Sequence, residues 1–198
     1  MLGILASVAI ATPALAGTVT LPAPIVRQIS PAYRVLTVMT ATPAANYGPV
    51  YIVALANRSE ALIARSHRPA PARPLLLFAR QASGDYRQVG RNDTVILRAD
   101  EGGQCDPFED GGDVITVKGA YFTVENGVAC GQHWTDYITF RFDPGLSRYV
   151  FDNERRQSWS LNNSNDPDAE ALVADSPPHV RRGWRARPVL FDDWRPAP

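Results

Sequence analysis

The chain has 198 residues, 20 of them basic and 20 acidic, so its formal charge is zero, and 45% of it is hydrophobic. That balance argues against a general polyanion binder and against a nucleic-acid partner. The length, less a leader, suits one domain that can bury about 70% of the surface its unfolded form exposes without needing a metal to hold it. Lys118 is the only lysine, which confines lysine chemistry to one position.

Residues 1–16 are an apolar run broken by Pro13 and closed by Ala14-Leu15-Ala16, the small-x-small pattern that a signal peptidase accepts. The expectation is a signal peptide over 1–16, cleavage after Ala16, and a periplasmic or extracellular protein. The basic residue that usually precedes such a run is missing. Gly17 and Thr18 supply no Cys for a lipoprotein anchor, and no later stretch approaches the ~18 consecutive apolar residues of a membrane helix. No transmembrane segment is therefore expected after cleavage.

Residues 17–49 read as an extended leader rich in Pro and Ala, with one edge strand at Tyr33 to Met39. Residues 50–198 read as a single β domain. Tyr51 to Ala56 is apolar on both faces, as in a central strand, and Ala61 to Arg65 would continue it or pair with it. The Pro-rich stretch from His67 to Pro74 cannot donate a regular ladder and reads as a surface loop. A meander follows: strands at Leu75 to Arg80 and Tyr86 to Val89, a turn at Asn92-Asp93, and a strand at Thr94 to Arg98. After the acidic, Gly-rich loop from Asp100 to Gly112 come strands at Val114 to Lys118 and Tyr121 to Glu125. Asn126-Gly127 reads as a hairpin turn, because both residues tolerate positive φ. Tyr137 to Phe142 alternates as a strand with one dry face, and Asp143-Pro144-Gly145 turns the chain into Arg148 to Phe151. Asp166 before Pro167 predicts a short C-terminal helix over Pro167 to Ala174. Val189 to Trp194 is expected to dock back on the body. The fold class is thus mainly β, an antiparallel meander forming a sandwich or partial barrel with one short C-terminal helix.

Two cysteines in an exported chain predict a disulfide between Cys105 and Cys130, which would restrict the unfolded chain by about 3.5 kcal/mol on the loop-entropy model. Several segments together carry a resemblance: Pro74-Leu75-Leu76-Leu77-Phe78, Asn92-Asp93, Gly102-Gly103-Gln104-Cys105-Asp106-Pro107-Phe108, Gly119-Ala120-Tyr121-Phe122 and Asp136-Tyr137-Ile138-Thr139-Phe140. From about Pro74 to Phe142 the chain resembles bacterial exported proteins of unknown function related to FG-GAP/VCBS-type repeat proteins. The calcium motif of those repeats is missing here, since Ala44 to Pro49 supplies no carboxylate. The resemblance implies no activity.

Three groups of residues are candidates for chemistry. Asp106, Glu109, Asp110 and Asp113 form the densest acidic cluster. It reads as a solvated, disulfide-anchored turn, or alternatively as a calcium site, although its spacing is not that of an EF-hand. His133 and Trp134 stand near Asp136, but no Gly-Xaa-Ser-Xaa-Gly elbow accompanies them, and His67 and His179 show no metal-ligand spacing. Arg181, Arg182, Trp184 and Arg185 interleave guanidinium with indole, which suits an anion or a stacked ring. The leading reading of this span is packing, with Trp184 buried on the sheet and Arg181, Arg182, Arg185 and Arg187 paired to carboxylates of the body, and anion contact is its alternative. The reading that follows is an exported β-rich binding module for a protein or an envelope glycan, with no catalysis and no cofactor expected. A small glycosidase-like hydrolase using the acidic loop and a purely structural envelope protein are the alternatives.

Overall fold

The computed structural model describes residues 19–66, 68–101, 105–109, 114–128, 133–164 and 166–197. The leader over 1–16, its cleavage site, His67, Asp110, Asp113 and Cys130 lie outside them. In chain order the elements are helix α1 (Ala23–Val26), strands β1 (Tyr33–Ala41) and β2 (Val50–Asn57), helix α2 (Glu60–Arg65), strands β3 (Arg73–Arg80), β4 (Tyr86–Ile96), β5 (Ile115–Lys118), β6 (Tyr121–Val128), β7 (His133–Asp143), β8 (Arg148–Leu161), β9 (Leu172–Ala174) and β10 (His179–Arg182), and a 3-10 turn at Phe191–Asp193. Two antiparallel sheets result, one ordered β1-β2-β3-β4 and the other β10-β8-β7-β6-β5, with β9 pairing the far half of β8. The mainly β, antiparallel class predicted from the sequence is the observed one.

The apolar pattern explains the layering. Ile52, Ala54, Leu75 and Leu77 of the first sheet face Phe122, Val124, Ile138 and Phe140 of the second, and Phe191 and Trp194 close one side of this core. Residues of opposite parity on the first sheet, Val53, Leu55, Leu76 and Phe78, pack instead with Ile25 of α1. This second burial is why β2 and β3 are apolar on both faces: alternate side chains point to opposite sides of a strand, and both sides are covered. The segment before β2 therefore belongs to the body, contributing α1 and the edge strand β1. The Val189–Trp194 segment docks as expected, through an isolated bridge between Leu190 and Val150.

Five local expectations are corrected. Ala61 to Arg65 is helical, as part of α2, and begins just after Asn57 Oδ1 accepts hydrogen bonds from the Ser59 amide and hydroxyl. Asn92-Asp93 is not a turn but lies within β4, where the buried Asn92 amide donates to the carbonyls of Phe191 (2.6 Å) and Trp194 (3.0 Å). Asn126-Gly127 also runs through a strand. Asn126 donates to the Val95 carbonyl and accepts from the Leu97 amide, tying the sheets together, and a Cβ on Gly127 would lie 2.8 Å from the Trp134 carbonyl oxygen. The glycine here serves close strand approach, while the hairpin turns at Gly119, with φ at +57°. The helix expected over 167–174 is a turn followed by strand β9. Asp166 does accept from the Asp168 amide, yet no apolar stripe follows to be buried, and β9 instead supplies a partner for the far half of β8. Finally, Trp184 is not packed on the sheet but is 68% exposed.

Cys105 is not a free thiol. No helix among the described residues is long and apolar enough to cross a membrane.

Candidate anion-binding cleft

Strand β8 is 14 residues long, more than the sandwich core needs, and its inner face changes character along its length. Next to the aromatic core lie Tyr149 and Phe151; further along come Glu154 and Arg156. Register places Glu154 between Ile138 of β7 and Arg181 of β10, and places Arg156 opposite Asp136. The inner face of the second sheet thus passes from an apolar half to a half built of Asn126, Asp136, Glu154, Arg156 and Arg181.

Asp136 and Glu154 are both buried. The Arg156 Nη2 atom lies 3.1 Å from Asp136 Oδ2 and 3.9 Å from Glu154 Oε1, and Arg181 Nη2 lies 2.5 Å from Glu154 Oε2. Among the described residues Asp136 Oδ1 finds no hydrogen-bond partner. Burial pushes the Asp136 carboxyl up to about 6; the adjacent Glu154 charge adds to this, and the hydrogen bond and charge of Arg156 oppose it. Asp136 and Glu154 thus stand as two buried acidic side chains, each met by a guanidinium.

Arg181 links this pair to the surface. Its guanidinium carbon sits 4.9 Å from the Phe151 ring centroid and 5.4 Å from that of Trp194, and Nη2 donates to the Arg195 carbonyl at 3.1 Å. Immediately after β10, Gly183 allows the chain to turn tightly against β8, since a Cβ there would meet the Phe151 carbonyl oxygen at 2.2 Å. Its amide donates to the Asp152 carbonyl at 2.7 Å. This contact projects Trp184 outward. Arg181, Arg182, Arg187 and Arg195 then line a cleft of about 420 Å³ together with Trp184, Trp194, Phe151 and Val189, and no carboxylate lines it. Of the four arginines only Arg181 makes an ion pair among the described residues. The Trp194 indole N–H is buried without a partner among the same residues. Guanidinium groups around an exposed indole can clamp an anion and stack on a ring at the same time.

The candidates taken from the sequence are distributed unevenly. Arg181, Arg182 and Trp184 come together in the cleft, while Arg185 is exposed outside its lining. The trio of His133, Trp134 and Asp136 separates: Trp134 and Asp136 share the inner face, and strand alternation turns His133 to the other side. Asp106 and Glu109 lie against arginines: Asp106 on Arg73, and Glu109 paired with Arg34. A calcium ion here would have to displace them, and among the described residues no three His, Cys, Asp or Glu side chains gather as a metal-holding group. The residues missed were Glu154, Arg156, Trp194 and Arg195. The sequence pattern predicts a strand only over Arg148 to Phe151, whereas β8 runs to Leu161, so the Glu154-Arg155-Arg156 run has no strand register in the sequence to place it. No protein-family model, curated protein or solved structure shows significant similarity to this chain.

Proposed function

We propose that this chain is an exported β-sandwich module, pinned by a Cys105–Cys130 disulfide, that binds an anionic envelope glycan without catalysing a reaction on it. The observation that carries this reading is the cleft of four arginines around an exposed tryptophan, free of carboxylates on its walls. Arginine forks bind the carboxylate or phosphate groups of such a glycan bidentately, and the Trp184 face stacks on a sugar ring. The buried Asp136–Glu154 pair beneath holds Arg181 in place. Titration with oligogalacturonate, followed by calorimetry and by tryptophan fluorescence, is expected to give salt-sensitive binding that a neutral dextrin does not share. Arg182→Ala together with Arg187→Ala should weaken it at least tenfold. Binding indifferent to those substitutions, or absent at low salt, would reject the reading. Material recovered from a periplasmic or culture fraction should begin at Gly17.

A second reading, glycan hydrolysis, has one observation in its favour: burial beside Glu154 pushes the Asp136 carboxyl up to about 6, as a general acid requires. Release of reducing ends by the wild-type protein but not by Asp136→Asn would select it over the binding module.

A further inference from the structure

A second cavity lies between the first sheet and the β7–β8 turn. It holds about 190 Å³ and is walled by Val50, Leu77, Ala79, Val89, Phe142 and Tyr149, with Tyr47 on one flank. The wall is a fixed one. The Tyr47 ring meets Phe142 edge-on with centroids 4.7 Å apart, and its hydroxyl lies 3.2 Å from the Pro144 carbonyl oxygen and 2.8 Å from Ser147 Oγ. Phe142 in turn meets Tyr149 at 5.3 Å.

Two polar features distinguish this cavity from a packing fault. The Tyr149 hydroxyl is buried and has no hydrogen-bond partner among the described residues, and burial raises its pKa, keeping the phenol neutral and able to donate. A buried donor left unmatched costs about 1–3 kcal/mol, so the position favours an acceptor. At the mouth, Arg87 and Arg148 line both the cavity and an adjoining surface depression. Arg148 is already paired with Asp192, whereas Arg87 makes no ion pair among the described residues. An apolar chamber, one buried donor and two cations in the lining, Arg80 and Arg87, neither of them in an ion pair among the described residues, together describe a site for a small molecule with an oily body and an anionic head. Size narrows the class further, because a cavity of about 150 Å³ accommodates a benzene ring.

We propose that this cavity binds a small apolar carboxylate, an aromatic or branched acid of about the size of benzoate, at a site separate from the glycan cleft. The body sits against Leu77, Val50 and Phe142, the Tyr149 hydroxyl donates to an acceptor on the ligand, and Arg87 supplies the countercharge. The test uses the full mature chain and benzoate as the probe, with toluene and benzyl alcohol as uncharged counterparts, read by amide chemical shifts at Val50, Leu77 and Phe142. Saturable shifts with benzoate, at least tenfold weaker for the uncharged probes, are expected. Arg87→Ala, an exposed change that leaves the fold intact, should reduce benzoate affinity about tenfold without altering benzyl alcohol, and Tyr149→Phe should reduce it several-fold. Ala79→Phe, which fills the chamber, should abolish binding. Three results would each overturn the proposal: no saturable shift at millimolar benzoate, equal binding of toluene and benzoate, or unchanged affinity in the filled variant, which would put the acid on the surface and leave water in the cavity.

Discussion

At the start of β3 a buried guanidinium, Arg73, is ringed by carboxylates; beneath β10 two buried carboxylates, Asp136 and Glu154, are met by guanidinium groups that remain partly in solvent. Arg73 is 1% exposed, and it donates to Glu60 through Nε (2.8 Å) and Nη2 (2.9 Å) and to Asp106 through Nη1 (2.9 Å) and Nη2 (2.5 Å). Burial pulls its pKa down, but the hydrogen bonds and charges of Glu60 and Asp106 outweigh this and raise it. Both of those carboxylates meet the guanidinium edge bidentately, and the cluster fastens α2, β3 and the segment after Cys105 to one another. The other cluster is incomplete: Asp136 retains an oxygen without a partner, and Arg156 is half exposed. A closed buried ion cluster serves architecture. An open one, with a carboxyl moved toward neutral pH and a cationic cleft alongside, has capacity left for a ligand.

That contrast can be broken in several ways. The largest effect should come from Arg73→Met, which leaves the buried Glu60 with only Arg34 at 3.6 Å and strips the half-buried Asp106 of its guanidinium partner; a loss of about 3 kcal/mol is expected, measured by urea unfolding. A loss below about 1 kcal/mol would mean that the cluster is not closed. Next is Asn126→Ala, which leaves the Val95 carbonyl and Leu97 amide unmatched and should cost about 2 kcal/mol by the same measurement. Asp136→Asn has the opposite sign. Because the folded-state pKa of Asp136 stands at about 6, above its ordinary value of 3.8, the folded chain takes up a proton between those limits. Its contribution to stability therefore falls as pH rises from about 4 to 6. The Asn variant should lose that slope and should match or exceed the wild type at pH 8 by about 1 kcal/mol, and an unchanged slope would place the titration elsewhere. The smallest effect on stability should be that of Trp184→Ala, within about 0.5 kcal/mol, accompanied by weakened oligogalacturonate binding; a clear drop in melting temperature would instead show Trp184 to be structural.

The alternation of Ile138, Phe140 and Phe142, the doubly apolar β2 and the Asp143-Pro144-Gly145 turn were enough to identify an antiparallel β protein, because side-chain parity along a strand is a local property of the chain. The same local logic failed at Asn92 and Asn126. Turn chemistry and a buried cross-sheet amide use the same residue, and which of the two operates depends on whether another strand brings donors and acceptors to it. It failed at Trp184 as well, where indole beside arginine carries no sign of whether the sheet or solvent will receive it.

By themselves the residues determined the strand class, most strand centres, the docking of the Val189–Trp194 segment and the gathering of Arg181, Arg182 and Trp184 within one short span. Only the tertiary structure decided that Glu154 and Asp136 form a pair, that Arg73 joins α2 to Asp106, and that Tyr149 faces a chamber beside Arg87. Each of these depends on register between strands far apart in the chain or on where two sheets stop touching, and neither is written in any single window of residues.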